Sequence, residues 1–314
     1  PSFTGGGQRF EARLDVGDTR NSYSLGWTNP EFLGYPLSAG FDIFNESYRV
    51  RGGADYEERQ TGVQLRFNKR ISPFLSSGWG ARYADVEVTD LPLSFLLNPR
   101  LRELGEDGTT VAVSWNIVRD SRDRRFDTST GSRHELETTL AGLGGDFNWW
   151  RVQHDSQWFR PLDEDRNLIF SFRTREGLVL PYGDSDEVPL NARLYAGGTS
   201  TVRGFDQRDL GPEVREGLFF GQDFRIGGEM RLVQNVELKY KYRDLVRLYG
   251  FVDGGGVWEE PGDFGLGDYK VAVGIGFGVD VPQLGPMRVD YGIPLNADED
   301  QGSGRLHLTT GFRF

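Results

Sequence analysis

Ala196–Pro212, AGGTSTVRGFDQRDLGP, is the most informative segment of the sequence. It lies within a long irregular segment, residues 180–228, between two segments with strand patterns. A loop of this length is either disordered or functional, and its many aromatic residues disfavour disorder. Its centre is Val202-Arg203-Gly204-Phe205, a cation followed by a flexible glycine and an aromatic ring. We therefore predict an ordered loop that folds back into a structure that encloses it, with Arg203 as its anchor.

Segments of alternating apolar and polar residues flank this loop on both sides. Val63, Leu65 and Phe67 alternate with polar residues, and an apolar row runs from Val271 to Val279 between small residues. We count about fourteen such segments. Alternation alone is also typical of a soluble β-sandwich. Strands of roughly ten residues, joined by alternately short and longer connections, favour a transmembrane antiparallel β-barrel. The predicted fold class is therefore all-β, with the long loop folded into the barrel lumen.

Composition excludes several classes of function. The chain has 314 residues, a net charge of −11, 13% aromatic residues and no cysteine. No run of 18 apolar residues is present, which excludes membrane-spanning helices. The acidic balance argues against nucleic acid as a partner. The three histidines lack metal-ligand spacing and no G-x-S-x-G elbow occurs, so we predict no metal, no cofactor and no catalytic site.

Odd and even positions along a strand lie on opposite faces of the sheet. This alternation places candidate partners for Arg203 in the lumen. If apolar residues face lipid, then Glu237, Phe251 and Asp253 point inward on two adjacent strands directly after the loop. A guanidinium entering the lumen could pair with either carboxylate and stack on the Phe251 ring. The alternative is that Arg203 is a solvated loop charge, and spacing alone leaves both interpretations open.

Several segments together resemble a known family. These are AGGTSTVRGF, NVELKY at 235–240, GFVDGGGVW at 250–258, LGPMRVDYGIPL at 284–295 and LTTGFRF at 308–314. They resemble the BamA/TamA superfamily of outer-membrane assembly barrels over nearly the whole chain. The resemblance implies that Arg203 contacts the barrel wall at Glu237, Phe251 and Asp253. It also implies that the last strand, with Leu308, Gly311, Phe312 and Phe314, carries an assembly signal and one side of a lateral seam.

The resemblance also bears on domain organisation. The family barrel has sixteen strands, whereas this chain supplies about fourteen. We expect residues 1–314 to be an outer-membrane β-barrel domain that lacks the first two strands and the N-terminal POTRA domains, all of which belong before Phe3.

The function implied by the resemblance is that of an insertase in the bacterial outer membrane, which folds β-barrel proteins into the lipid bilayer. Its expected partners are unfolded outer-membrane proteins and periplasmic accessory lipoproteins. Alternatives are an export pore of the two-partner secretion type, the anchor barrel of a secreted lipase-like domain, and a passive diffusion porin. Gly274, Gly276 and Gly278 lie on a strand pattern without a following helix, so we expect them to make room for the loop rather than to bind a dinucleotide.

Overall fold

The computed structural model describes residues 7–17, 20–50, 56–91, 98–125, 127–215, 223–242, 245–281, 285–298 and 301–310. Fourteen strands form one antiparallel sheet in which each strand pairs with the next along the chain. They are β1 (Arg9–Val16), β2 (Arg20–Asn29), β3 (Leu37–Val50), β4 (Tyr56–Ser72), β5 (Leu75–Thr89), β6 (Gly108–Asp120), β7 (Gly131–Ala141), β8 (Trp149–Pro161), β9 (Leu168–Pro181), β12 (Met230–Tyr242), β13 (Val246–Trp258), β14 (Lys270–Val281), β15 (Gly285–Pro294) and β16 (Arg305–Thr310).

The remaining elements are short and lie in the connections. β10 (Glu213–Arg215) and β11 (Asp223–Arg225) pair as a hairpin within the long connection between β9 and β12. Among the described residues, an α-helix, α1 (Pro99–Leu104), lies between β5 and β6, and 3-10 turns cover Phe32–Gly34, Pro261–Asp263 and Leu266–Asp268. None of the helices among the described residues has the length and hydropathy needed to span a membrane.

The two faces of the sheet differ in polarity as the alternation predicts. On β12, Leu238 and Tyr240 are exposed, whereas Glu237 and Lys239, which alternate with them, are buried. The row on β14 behaves in the same way, since Ile275 is 71% exposed. Large apolar side chains on the outside and buried charges on the inside are typical of a barrel wall whose apolar face contacts lipid. The polar face encloses a lumen.

The connections are short at one end of the sheet and mostly long at the other. Pro73–Phe74 joins β4 to β5, and residues 182–229 join β9 to β12 at the opposite end. At the short-connection end the longest connection is residues 121–130, between β6 and β7. This connection places polar residues such as Asp127 and Thr128 beneath the lumen.

Part of the long connection packs apolar side chains inside the lumen. Val202, Phe205 and Leu210 are buried and pack against Val233 and Val257 on the barrel wall. At about 25 cal/mol per Å² of apolar area removed from water, this burial contributes several kcal/mol toward holding the loop inside. The segment from Val202 to Leu210 is therefore an interior element.

The sheet ends at β1 and β16, and the first strands are shorter than those farther along the wall. β1 has 8 residues and β2 has 10, against 17 in β4 and 15 in β5. Since a strand rises about 3.3 Å per residue, the wall is lower beside β1 than at β4. Over the described ranges, β1 pairs with β2, β16 pairs with β15, and no pairing joins β1 to β16.

Candidate functional site: the luminal anchor of the long loop

A tight turn presents Arg203 to the wall. The Thr201 amide donates to the Gly198 carbonyl at 3.0 Å, and the Gly198 amide donates to the Val202 carbonyl at 3.2 Å. Asn235 on β12 then holds the turn, because its side-chain amide donates to the Thr201 carbonyl at 2.7 Å. The residue after this turn is therefore fixed against β12 and β13.

Arg203 contacts all three of the partners named from the sequence. Its backbone amide, Nε and Nη2 donate to the Asp253 carboxylate at 3.1, 2.6 and 2.8 Å. Its Nη1 donates to Glu237 Oε2 at 2.9 Å. The guanidinium carbon lies 3.5 Å from the centre of the Phe251 ring, within the range of a cation–π contact.

A second arginine extends this network along the wall. Arg288 on β15 donates through Nη2 to Glu237 Oε2 at 2.6 Å, and through Nε to Asp290 Oδ2 at 2.8 Å. Its guanidinium carbon lies 3.6 Å from the centre of the Tyr249 ring on β13. Glu237 thus bridges the two arginines. We call the set Arg203, Glu237, Phe251, Asp253, Arg288 and Asp290 the luminal anchor.

The luminal anchor is a buried ionic cluster with one excess negative charge. Asp253 is 0% exposed and Arg203 is 6% exposed. Burial works against the charge of Arg203, but the hydrogen bonds and charge of Asp253, followed by the charge of Glu237, outweigh it and raise the pKa of Arg203. Removing one partner from such a cluster is costly because the others are left charged without water.

Glycines let the loop backbone approach the wall. Gly204 has a φ of +100°, and a Cβ on Gly292 of β15 would lie 2.6 Å from the Gly204 nitrogen. The prediction that Gly274, Gly276 and Gly278 make room for the loop is wrong. A Cβ on Gly274 would instead lie 2.3 Å from Phe251 Cζ, and one on Gly276 would lie 2.1 Å from an Asp290 oxygen. These glycines make room for wall side chains, including two members of the luminal anchor.

The structure therefore brings together Arg203, Glu237, Phe251 and Asp253, and it buries the flanking Val202 and Phe205. Leu308 lies on β16, and its side chain is exposed on the outer face. Gly311, Phe312 and Phe314 lie outside the described residues.

Sequence reasoning missed Arg288 and Asp290. Their parity was visible, since they alternate with the apolar Met287, Val289 and Tyr291. The sequence does not show how deep in the barrel these two residues lie.

The contacts of the luminal anchor hold the loop against the wall. The described residues include no cluster of three or more His, Asp or Glu side chains with the geometry of a metal site. Below the luminal anchor, a cavity of about 1200 Å³ opens at the short-connection end and is lined by Glu237, Lys239, Arg247 and Arg288, among others. The loop thus occupies one part of the lumen, and the part beneath it is open.

Comparison with known proteins gives a match over almost the entire chain. The Omp85 superfamily domain matches residues 2–314. The curated outer membrane protein assembly factor BamA of Nitratidesulfovibrio vulgaris is 30% identical over 300 residues, covering 93% of this chain and 36% of that protein. The BamA of Neisseria meningitidis serogroup B is 24% identical, covering 99% of this chain and 44% of that protein. The chain thus spans less than half the length of these two relatives.

A solved structure shares the fold. The crystal structure of BamA from Haemophilus ducreyi lacking POTRA domains 1–3 superimposes with a TM-score of 0.83 at 19% identity, covering 96% of this chain and 64% of that one. The architecture described above is therefore that of a known outer-membrane β-barrel.

Proposed function

Because the chain belongs to the Omp85 superfamily, we propose that it is the barrel of a bacterial outer-membrane insertase, which receives unfolded β-barrel proteins and folds them into the bilayer. The relatives' name, outer membrane protein assembly factor, supports this assignment. Periplasmic accessory lipoproteins that deliver or stabilise the clients are part of the proposal. The activity would need no bond-making chemistry and no nucleotide.

One observation carries the proposal: buried hydrogen bonds and ion pairs hold the Arg203 turn of the long loop inside the lumen. Arg203 holds the loop in place through four hydrogen bonds to Asp253 and Glu237 and one ion-pair contact with Asp290. A passive porin needs a clear channel, whereas this lumen contains an ordered and buried plug. The work would therefore be done at the edge of the wall and not through its centre.

The edge of a barrel wall offers a physical means of lowering the barrier to client insertion. An end strand presents unpaired N–H and C=O groups, which can template a client strand by β-augmentation. In this proposal the luminal anchor stabilises the barrel wall while the edge strand of the wall pairs with a client strand.

The test is a folding assay in lipid vesicles. A urea-unfolded outer-membrane protein is diluted into vesicles with and without the reconstituted protein, and its folding is followed by the gel shift of heat-modifiable barrels. We expect faster folding with the wild type, and slower folding with Arg203→Ala although that variant still forms a barrel. Equal rates with empty vesicles would contradict the proposal. Large steady conductance in planar bilayers would favour the porin alternative.

A further inference from the structure

A histidine on the last strand contacts the loop beside Arg203. His307 lies on β16, opposite Asp290 of β15, and is buried. Its Nε2 lies 3.0 Å from the backbone nitrogen of Gly204. Its Nδ1 lies 3.1 Å from Thr199 Oγ1, at the start of the loop turn. One ring therefore joins the end strand of the sheet to both sides of the turn that presents Arg203.

The backbone contact fixes the protonation state of this ring. A backbone amide only donates, so Nε2 must be an unprotonated acceptor. In a neutral ring the single proton then lies on Nδ1, which donates to Thr199 Oγ1. Both nitrogens are used, and the joint between loop and strand exists in this form only while the ring is neutral.

Other contacts join the loop to the connection before β16 and to the first residues of β16. Gln301, in the connection before β16, donates to the Asp209 carbonyl at 3.0 Å. Arg305 Nη2 lies 2.6 Å from Asp206 Oδ2, but both side chains are largely exposed, so this pair contributes little. His307 is the buried contact on β16 itself. Of these three contacts, the one made by His307 therefore contributes most to holding β16 against the loop.

We propose that His307 is a positioning residue that locks β16 to the V-R-G-F loop through its neutral ring, and that protonation of the ring releases this lock. The inference rests on the proposed function, since it assigns control of the seam-forming strand to the luminal loop. A protonated Nε2 would point its N–H at the Gly204 N–H, and two donors cannot bond. The end strand would then lose its buried tie to the loop while Arg203 stayed in place.

Several charged groups face this ring and enter its pH dependence. Asp290 lies directly across on β15, and Asp253 approaches from β13. The loop contributes Arg203 and Asp206. The release of β16 from the loop should therefore be measured as amide exchange over a range of pH, in wild type and in a variant without a titrating ring at position 307.

Amide hydrogen exchange measured by mass spectrometry on the protein in lipid nanodiscs tests the lock. His307→Gln keeps an acceptor near the position of Nε2 and does not titrate, and His307→Phe keeps a ring but no acceptor. His154→Phe is the matched control, because His154 on β8 bonds Glu176 and Ser156 instead of the loop. Heat-modifiable gel shifts establish that each variant forms a barrel.

At about pH 7.5, where a histidine ring is mostly neutral, peptides covering Gly204 and β16 should exchange about tenfold faster in His307→Phe than in wild type, as expected for one lost buried hydrogen bond. His307→Gln and the His154 control should stay near wild type. At about pH 4.5, two units below the ordinary histidine value, and after correction for intrinsic rates, wild type should approach His307→Phe while His307→Gln stays protected.

Two results would overturn the lock: full protection of Gly204 and β16 in His307→Phe, or equal loss of protection in His307→Gln and His307→Phe. A wild type with no difference in protection between the two pH values would refute the protonation step. Because no client is present, failure of this test is separable from failure of the insertase assay.

Discussion

Asp253 accepts three hydrogen bonds from Arg203, one from the backbone amide at 3.1 Å and two from the guanidinium at 2.6 and 2.8 Å. This geometry needs a planar cation whose donors lie side by side, so it selects arginine over lysine. It also ties the path of the loop backbone to the side chain. A change at either residue should therefore alter both the charge balance and the position of the loop.

Arg203→Lys should behave much more like Arg203→Ala than like wild type. A lysine ammonium is a point charge that lacks the bidentate geometry, and it leaves Glu237 or Asp253 short of donors. Losing one partner of a buried pair costs roughly 3–5 kcal/mol. We expect both variants to unfold at lower temperature in the gel-shift assay. Arg124→Ala, which removes an exposed arginine, should leave that temperature unchanged; wild-type stability in the lysine variant would refute the geometric argument.

Gly204→Ala should displace the loop although it adds only one methyl group. Gly204 has a φ of +100°, and the added Cβ would lie 3.1 Å from Ala272 Cβ and 3.2 Å from the Gly292 carbonyl carbon. A left-handed backbone alone costs a non-glycine residue about 1–2 kcal/mol. Gly262→Ala is the matched control, because a Cβ there meets nothing within 4 Å. Trypsin sensitivity of the loop at Arg203 and Arg208 reports the displacement, and equal resistance in the two variants would count against it.

The connection at residues 121–130 should make a second, pH-dependent contribution to stability. Its Asp127 carboxylate lies 2.9 Å from Lys239 Nζ, 2.7 Å from Lys241 Nζ and 3.2 Å from Arg247 Nε. Burial would raise the pKa of Asp127, but these cations, led by Lys239, outweigh it and hold the pKa well below its usual range.

The pKa of Asp127 is lower in the folded than in the unfolded protein. Its carboxylate therefore stabilises the fold at pH values above the unfolded-state pKa near 3.8, and this contribution is lost as the pH falls below that value. We expect Asp127→Asn to be less stable than wild type by roughly 3 kcal/mol at neutral pH, with the gap closing below about pH 4. Urea unfolding at a series of pH values measures the gap. Asp184→Asn, in an exposed part of the long loop, should show no gap, and a constant gap for Asp127→Asn down to about pH 3 would contradict the assignment.

The sequence predicted the faces of the wall because alternation is a local property. Glu237 and Asp253 could be assigned to the lumen from the alternation, whereas spacing left their contact with Arg203 open and only the family resemblance implied it. Arg288 and Asp290 had the same parity, but their depth depends on the registers between strands, such as Asp290 opposite Gly276. No local pattern fixes a register.

Contacts made by the connections were also out of reach of local patterns. The pairing of Asp127 with Lys239 joins residues 112 positions apart, and it exists because one connection folds beneath the barrel. The contact of His307 with Gly204 spans 103 positions and depends on the path of the loop backbone. Gly274 was assigned to the wrong neighbour for the same reason, since parity gives the face but not the side chain that occupies it.

The most direct test of the central claim is a double-mutant cycle on Arg203 and Asp253, read out as the rate of client folding in vesicles. We expect Arg203→Ala and Asp253→Ala each to slow client folding, and the double variant to be no slower than the worse single variant, because both changes break the same contact. If the two effects simply add, or if either variant folds clients at the wild-type rate, the luminal anchor does not govern the work of the barrel.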